Sequence, residues 1–232
     1  MSAHQPRCIG LVGGLGPAAT IYYYDALLRA HADLAVKPDI VVVHADVTHV
    51  LGLVRDGDIL ELARYLAGFI ERLRAAGATL AAVAAVTPHI SAPHLQELSP
   101  LPLVSIVDVI RDGLKQHGLN RIALFGTRFV IETDLFGALS GFEVIRPRGD
   151  EVDVINALYL ELVASARASE AQADRLRTTA HEMMERERLD AVVLAGTELA
   201  LIGDWQDLKP HILSSADLHV AEIVRRAVAH EG

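Results

Sequence analysis

The chain has 232 residues, of which 51% are hydrophobic and 22% are charged, so it is long enough to bury the core of one large domain or two small ones. Its formal net charge of −9 argues against a nucleic-acid-binding protein and against attachment to anionic membranes, because both partners favour a basic surface. The only cysteine is Cys8, which excludes an intramolecular disulfide and a cysteine-rich zinc site.

Short apolar runs alternate with longer amphipathic stretches along the chain. The runs predict eight strands, Cys8–Val12, Asp39–His44, Leu80–Ala85, Leu103–Ile106, Arg121–Phe125, Glu143–Arg146, Ala191–Leu194 and Ile212–Ser214. The clearest predicted helices are Ile59–Ala75, Val107–His117, Val152–Ala166 and Glu170–Arg188. Strands that are apolar throughout and alternate with helices are typical of parallel sheets covered on both faces. The sequence therefore predicts an α/β fold.

Two pairs of similar segments recur at nearly the same spacing. Ile9–Gly14 resembles Ile122–Thr127 at an offset of 113, and the segments around Thr87 and Thr197 match at an offset of 110. This repeat indicates a duplicated α/β unit of about 100 residues. We therefore predict two pseudo-symmetric parallel-sheet domains of the flavodoxin-like type, with a cleft between them. The first comprises residues 1–101 plus about 208–232, and the second comprises residues 102–207.

The beginning of the chain carries no recognisable targeting signal. Met1–Arg7 lacks the apolar core of a signal peptide. No run of the sequence approaches the ~20 apolar residues that a membrane-spanning helix needs. We therefore expect a soluble, cytoplasmic protein without a membrane partner.

Polar residues directly follow several of the predicted strands. In open parallel sheets, ligands bind beyond the carboxyl ends of the strands, so we expect these loops to meet in the cleft. The loops are Gly13–Gly14, Asp46–Thr48, Thr87–His89, Gly126–Thr127 and Gly196–Glu198. Their expected convergence is the main reason to predict a functional site there. Because Thr48 lies in one of these loops, it is a candidate substrate-binding residue.

A glycine-rich turn, Gly13–Pro17, follows the first strand and opens a helix. We interpret it as a tight turn in which the amide of Gly14 faces a substrate carboxylate. A purely structural turn and phosphate binding are the alternatives. Because Ala19 stands where the dinucleotide fingerprint has its last glycine, nucleotide binding is disfavoured.

Three threonines at the predicted strand ends are candidate ligands for a substrate carboxylate. The hydroxyl groups of Thr87, Thr127 and Thr197 can donate hydrogen bonds to such an anion. The alternative is that each threonine caps the helix that follows it, which threonine does well. The symmetric placement of Thr87 and Thr197 favours the carboxylate interpretation for that pair.

Glu198, His89 and Asp46 are the candidates for proton transfer. Histidine titrates near neutral pH, and a closed cleft raises the pKa of a glutamate into a useful range. The alternatives are structural hydrogen bonding by His89 and capping by Glu198 or Asp46. His44, Asp46 and His49 are possible metal ligands, but loop histidines rarely bind metal, so we predict no metal site. Three further histidines are predicted on helix surfaces: His31, His117 and His230.

Five segments, in their order and spacing, resemble the aspartate/glutamate racemase superfamily of cofactor-independent amino-acid racemases. They are IGLVGGLGP (Ile9–Pro17), VTPHI (Val86–Ile90), PLVSIVD (Pro102–Asp108), IALFGTRF (Ile122–Phe129) and GTELALI (Gly196–Ile202). The resemblance implies two pseudo-symmetric α/β domains with an interdomain active site. It also implies a small carboxylate-bearing substrate, a homodimer, and no pyridoxal phosphate or metal.

The catalytic residues of that superfamily are missing from this chain. Its members usually carry two cysteines, in motifs close to CNT-x-H and GCTEL, which exchange a proton with the substrate's α-carbon from opposite faces. The matching positions hold Ala85 and Gly196, and neither residue has an ionisable group. A basic residue that often follows the helix resembling Asn156–Leu162 is replaced by Val163. Racemisation by two thiols is therefore rejected.

Two classes of function remain. The retained Thr-Pro-His and Thr-Glu motifs favour a racemase-like enzyme that acts next to the carboxylate of a small amino or dicarboxylic acid. Racemisation or epimerisation, elimination and decarboxylation are all open. The alternative is a non-catalytic binder or regulator of a small carboxylate, because a fold alone does not establish activity. Engineered removal of the cysteines is disfavoured by Val86, where relatives usually have asparagine.

Overall fold

A computed structural model describes residues 7–203, 205, 208 and 211–229 of the chain. Within them, eight strands form: β1 (Ile9–Gly13), β2 (Ile40–His44), β3 (Leu80–Val83), β4 (Leu103–Val104), β5 (Arg121–Phe125), β6 (Glu143–Val144), β7 (Ala191–Leu194) and β8 (Ile212–Ser214). They correspond one to one with the eight predicted strands, and several are shorter or shifted by a residue. Strand ends depend on backbone pairing, which the apolar pattern reports only indirectly.

The helices between the strands include all four of those that the amphipathic pattern predicts. The described helices are α1 (Pro17–Asp33), α2 (Val47–Asp56), α3 (Ile59–Ala75), α4 (Ala92–Leu98), α5 (Ile106–Gln116), α6 (Arg128–Glu132), α7 (Gly149–Ser165), α8 (Glu170–Glu187) and α9 (Ser215–Val228). Two short 3-10 helices, Thr87–Ser91 and Thr197–Ile202, follow the loops after β3 and β7. Within the described residues, no helix combines the length and the apolar character needed to cross a bilayer.

The strands form two four-stranded parallel sheets with the same topology. The first has the order β2-β1-β3-β4 and the second the order β6-β5-β7-β8. This confirms the predicted α/β class, with one sheet in each half of the chain. The central strands are apolar throughout because helices cover both faces of each sheet. Every residue of β1 and of β7 is buried.

The chain divides into two compact units that differ from the predicted domains at both boundaries. Residues up to Ile106, together with those from His219 onward, form unit 1, and Val107–Leu218 forms unit 2. The second boundary lies later than predicted because β8 pairs with β7 and so belongs to the second sheet. Helix α9 begins in unit 2 and continues in unit 1. Positions 209, 210 and 230–232 of the predicted return segment lie outside the described residues.

Candidate functional site

The five predicted loops all follow parallel strands, so within each sheet they lie at the same edge. Three of them follow β1, β2 and β3 in unit 1, and two follow β5 and β7 in unit 2. The side chains in these loops differ in how they are buried and hydrogen-bonded. Those differences separate residues with a structural role from candidates for proton transfer or ligand binding.

In unit 2, Glu198 forms a buried hydrogen-bonded cluster with two hydroxyl groups. The Tyr159 hydroxyl donates to Glu198 Oε2 at 2.6 Å, and the Thr197 hydroxyl donates to the same oxygen at 3.2 Å. Glu198 is 2% exposed and Thr197 is 1% exposed. Burial raises the pKa of Glu198, and the hydrogen bonds from Tyr159, its own backbone amide and Thr197 oppose the rise. A buried carboxyl with a raised pKa is better suited than an exposed one to accept and return a proton.

Gly196, which the sequence predicts at the second cysteine position of the family, has no room for a side chain. A Cβ atom at this position would overlap Cε2 of Tyr159 and lie 2.9 Å from its Cζ. The backbone there is extended, with φ of −149°, so the restriction comes from the neighbouring ring and not from the backbone. The ring of Tyr159 therefore occupies the space into which a cysteine side chain would project.

Helix α7 carries Tyr159 and also contacts the neighbouring loop after β5. One turn earlier, Asn156 Oδ1 accepts a hydrogen bond from the Arg128 backbone amide at 2.8 Å. Asp153 forms an ion pair with the guanidinium of Arg128. The same helix therefore positions two of the predicted loops, those that contain Thr127 and Gly196. Tyr159 was not predicted as a site residue, because in the sequence it reads as one member of the apolar stripe of α7.

In unit 1, His89 uses both ring nitrogens on backbone groups. Its Nδ1 lies 2.8 Å from the carbonyl oxygen of Ala85, and its Nε2 lies 3.4 Å from the amide nitrogen of Ile106. A carbonyl only accepts, so Nδ1 carries the proton and Nε2 accepts from the amide. This arrangement favours the structural interpretation of His89 over proton transfer.

A second buried histidine of unit 1, His219, was not predicted. Its Nε2 lies 3.0 Å from the Val104 carbonyl oxygen, and its Nδ1 lies 2.9 Å from the Tyr23 hydroxyl. By the same reasoning, Nε2 carries the proton and the Tyr23 hydroxyl donates to Nδ1. The rings of His219 and His89 lie 6.2 Å apart, centroid to centroid. Burial, and to a lesser degree His89, lowers the pKa of His219 to about 3.

A family model for Asp/Glu/hydantoin racemases matches residues 12–223. The chain belongs to this family. The match covers most of both compact units, and it confirms the resemblance that the five sequence segments predict. It does not by itself identify the reaction, because the residues that carry the usual chemistry of the family are absent here.

Solved structures of related proteins share the fold over nearly the whole chain. A putative Asp/Glu racemase from Yersinia pestis is 26% identical, with a TM-score of 0.83 over 96% of this chain and 100% of that chain. An aspartate racemase homologue from Pyrococcus horikoshii OT3 is 24% identical, with a TM-score of 0.82 over the same shares of the two chains. Arylmalonate decarboxylase is 14% identical, with a TM-score of 0.54 over 96% of this chain and 93% of that chain. The last two likenesses concern the fold alone.

The single cysteine does not replace the missing family thiols. Cys8 is buried immediately before β1, away from the carboxyl ends of the strands. Burial, with a smaller contribution from Asp39, raises the pKa of the Cys8 thiol to about 11. A thiol with so high a pKa is almost entirely protonated at neutral pH and reacts poorly. Cys8 is therefore a small residue of the core.

The alternative role of Asp46 as a helix cap is the one that its contacts support. Its Oδ1 accepts from the backbone amides of Thr48 at 2.8 Å and His49 at 3.4 Å, which caps α2. Asp46 and Thr48 are both exposed. Across the part of the chain that the structure describes, no three His, Cys, Asp or Glu side chains are grouped to hold a metal ion.

The three candidate threonines have different environments. The Thr127 hydroxyl accepts from the Val130 amide at 3.2 Å and caps α6, which supports the capping alternative there. Its role in substrate binding stays a prediction. Thr197 donates to Glu198 and does not cap its 3-10 helix. Thr87 is half-buried at the first position of its 3-10 helix, and no side chain caps that helix. Because Thr197 already donates its hydroxyl proton to Glu198, Thr87 is the stronger candidate of this pair for direct contact with a substrate carboxylate.

The glycine turn after β1 is stabilised by hydrogen bonds to the side chain of Thr20. The Gly14 amide donates to the Thr20 hydroxyl oxygen at 2.9 Å, and that hydroxyl donates to the Gly16 carbonyl at 3.1 Å. The amide that the sequence assigns to a carboxylate is therefore already paired, which favours a structural turn. Gly14 also has a positive φ of 82°, which is costly for any residue with a Cβ atom.

Replacing Gly14 with alanine is expected to lower the free energy of unfolding by about 2 kcal/mol or more. The new Cβ would lie 2.5 Å from the Ala45 carbonyl oxygen and 2.8 Å from the His44 ring. Urea unfolding measures the effect. Gly68→Ala is the matched control, since this helical glycine has no atom within 4 Å of its added Cβ, and the change should stabilise α3 slightly. Equal stability of the Gly14→Ala variant and the unchanged protein would contradict the interpretation of Gly14 as a position in the turn that requires glycine.

One prediction about the histidines is wrong. His31 is buried, not on a helix surface, and its Nδ1 lies 2.7 Å from the Leu27 carbonyl oxygen. It continues the buried stripe of α1 that Tyr23 and Leu27 begin at four-residue spacing. His117 is exposed as predicted, and His230 lies outside the described residues.

Proposed function

We propose that this protein is a cofactor-independent enzyme that moves a proton next to the carboxylate of a small amino or dicarboxylic acid, with Glu198 as its acid–base group. The observation that carries the proposal is the buried carboxyl of Glu198, held by Tyr159 and Thr197 in the loop where the family has its second thiol. Membership of the racemase family supports the small-carboxylate class of substrate.

The proposed step uses the carboxyl of Glu198 in place of a thiol. In deprotonation, the C–H bond at the α-carbon breaks, the proton passes to the Glu198 carboxylate, and the electron pair remains on the substrate. In decarboxylation, the bond between the α-carbon and a carboxylate breaks, carbon dioxide leaves, and protonated Glu198 delivers its proton to that carbon. A raised pKa favours both roles, because the carboxylate becomes a stronger base and the acid form is more populated.

The absence of an ionisable residue at Ala85 favours one-sided chemistry. Racemisation needs proton exchange from both faces of the α-carbon, whereas elimination and decarboxylation need one well-placed acid or base. The neighbouring His89 engages both ring nitrogens with backbone groups. We therefore place lyase or decarboxylase chemistry ahead of racemisation for this chain.

Proton exchange and product formation test the proposal directly. The protein is incubated in deuterium oxide with both enantiomers of aspartate and glutamate, and with a series of substituted malonates. Proton NMR then follows deuterium at the α-carbon, loss of a carboxylate and the appearance of unsaturated products. We expect turnover of at least one acid, with the malonates the first candidates. No exchange and no product from any of them would contradict the proposal.

The second candidate function is a non-catalytic binder of the same acids. It is favoured by the lack of an ionisable side chain at both Ala85 and Gly196. The same acids are added in a thermal-unfolding assay, where a bound ligand raises the melting temperature. A rise in melting temperature without turnover favours the binder. Turnover that Glu198→Gln removes from a folded protein excludes it.

A further inference from the structure

Tyr159 and Gly196 are sterically coupled in unit 2. The ring atoms nearest the hydroxyl, Cε2 and Cζ, lie where a Cβ atom at position 196 would stand. Tyr159 itself is 8% exposed and lies in the buried stripe of α7 with Val152, Ile155 and Leu162. Since the helix packs through this stripe, the ring cannot move away without disturbing the core. The large residue at position 159 therefore requires glycine at position 196.

We propose that Tyr159 is the positioning residue of Glu198: its ring fills the space of the missing cysteine side chain, and its hydroxyl holds Oε2 so that Oε1 exchanges the proton with the substrate. This inference rests on the proposed function of Glu198. Both hydroxyl donors of the cluster converge on Oε2.

The hydrogen bond from Tyr159 also affects the pKa of Glu198, because the phenol is a neutral donor. Burial of the carboxyl raises the pKa of Glu198. Hydrogen bonds from the Tyr159 hydroxyl, the Glu198 backbone amide and the Thr197 hydroxyl lower it. Burial and the adjacent Glu198 raise the pKa of Tyr159 well above its ordinary value, so the phenol stays protonated and donates. A neutral donor stabilises the carboxylate form of Glu198 and lowers its pKa, against the effect of burial.

The steric part of the proposal is tested by a double-mutant cycle of thermal unfolding. Gly196→Ala is expected to lower the melting temperature by roughly 5 °C, because the new methyl group overlaps the phenol ring. In a Tyr159→Leu background, which keeps an apolar side chain but removes the outer ring atoms, Gly196→Ala should cost much less. An equal loss in both backgrounds, or no loss in the first, would overturn the steric coupling.

Gly126→Ala is the matched control for this cycle. Its Cβ would lie 2.6 Å from the Ala195 carbonyl oxygen, a backbone atom of the adjacent loop. The clash does not involve Tyr159, so Tyr159→Leu should not relieve it. The control therefore separates relief of a specific overlap from a general softening of unit 2.

The electrostatic part is tested by Tyr159→Phe, which keeps the ring and removes the donor. Infrared difference titration of the carboxyl stretch, assigned with Glu198→Gln, should show that the pKa of Glu198 rises by about one unit, a tenfold change in its ionisation constant. Tyr65→Phe is the control, because that phenol accepts from the Asp46 amide at 3.1 Å, away from Glu198. An unchanged or lowered pKa in Tyr159→Phe would overturn the proposal.

The two readouts separate the failure of this inference from the failure of the proposed function. The titration and the unfolding cycle need no substrate. If both behave as expected and none of the tested acids reacts, the proposed function fails and the pairing of Tyr159 with Glu198 stands. If an acid reacts, the limb of the pH–rate profile that follows Glu198 should move upward in Tyr159→Phe by the same amount as the titration. Turnover with an unmoved limb would refute the positioning role.

Discussion

Glu198→Gln is expected to reduce turnover at least a hundredfold, in line with the loss of a general acid–base group, while the protein stays folded. Glutamine has nearly the same shape and can still accept the hydrogen bond from Tyr159, but its amide neither takes nor returns a proton. The measurement is the initial rate with the acid that reacts fastest in deuterium oxide. Glu182→Gln, which changes an exposed carboxylate on α8, is the matched control and should leave the rate unchanged.

Glu198→Gln should lower activity without lowering the stability of the folded protein at neutral pH. Since burial raises the pKa of Glu198 in the folded protein, its protonated form is favoured by folding. Its contribution to stability is full below the unfolded pKa of about 4.3 and is lost as the pH rises through the folded pKa. At pH 7 to 8, Glu198→Gln should therefore be at least as stable as the unchanged protein. A clear loss of stability at that pH would contradict the raised pKa.

Acid should destabilise unit 1 through His219 before the carboxylates with a lowered pKa become involved. The pKa of this imidazole is about 3 in the folded protein and about 6.5 in an unfolded chain. Stability is therefore full above pH 6.5 and falls as the pH drops toward 3, by roughly 1.4 kcal/mol per unit. Of the groups around His219, burial has the largest effect and is reinforced by His89 and Arg226, whereas the Val104 carbonyl and Glu222 act against it.

The window between pH 6.5 and 4.5 separates this effect from that of Glu222, an acidic residue with a lowered pKa. Glu222 has a pKa lowered to about 2 by Arg225, with a further contribution from Arg226. Because the folded pKa is depressed, its contribution to stability is lost only as the pH falls below the unfolded pKa of about 4.3. Glu198, with its raised pKa, also titrates in this window, so denaturant unfolding at pH 7.5, 6.0 and 5.0 is carried out in a Glu198→Gln background to follow the effect of His219.

His219→Gln should flatten the pH dependence of unfolding in that window. At pH 7.5 it is also expected to cost about 2 kcal/mol, since glutamine cannot satisfy both the Val104 carbonyl and the Tyr23 hydroxyl from one position. His117→Gln, at an exposed helix end, serves as the control and should leave the slope unchanged. If the free energy of unfolding of the His219→Gln variant still falls with pH in that window, another group causes the acid sensitivity.

Local sequence patterns predicted most of the architecture. All eight strands and the four clearest helices follow from apolar runs and helical periodicity, which depend on neighbouring residues in the chain. The duplication was visible because both halves keep similar segments at a similar offset. The domain boundaries were less predictable, since β8 joins the second sheet through pairing with β7. The homodimer stays a prediction that the mass of the protein in solution tests.

Individual site residues were predicted less well, because their roles depend on contacts between distant parts of the chain. Glu198 was recognisable from its motif, but its partner Tyr159 lies 39 residues away on a helix where it reads as core. His219 was missed because its contact with Tyr23 joins residues 196 positions apart. Asp46 and Thr127 had been weighed as helix caps, and capping is the role that their hydrogen bonds support.

The sequence by itself determined the α/β class, the internal duplication, the family and the loss of both thiols, because each is written in residue types and short-range spacing. Only the tertiary structure decided which side chain lies beside Gly196. The packing of α7 against the loop after β7 sets the ring of Tyr159 in the space beside Gly196 and its hydroxyl on Glu198. Steric exclusion and burial act through space, so neither can be read from the order of residues along the chain.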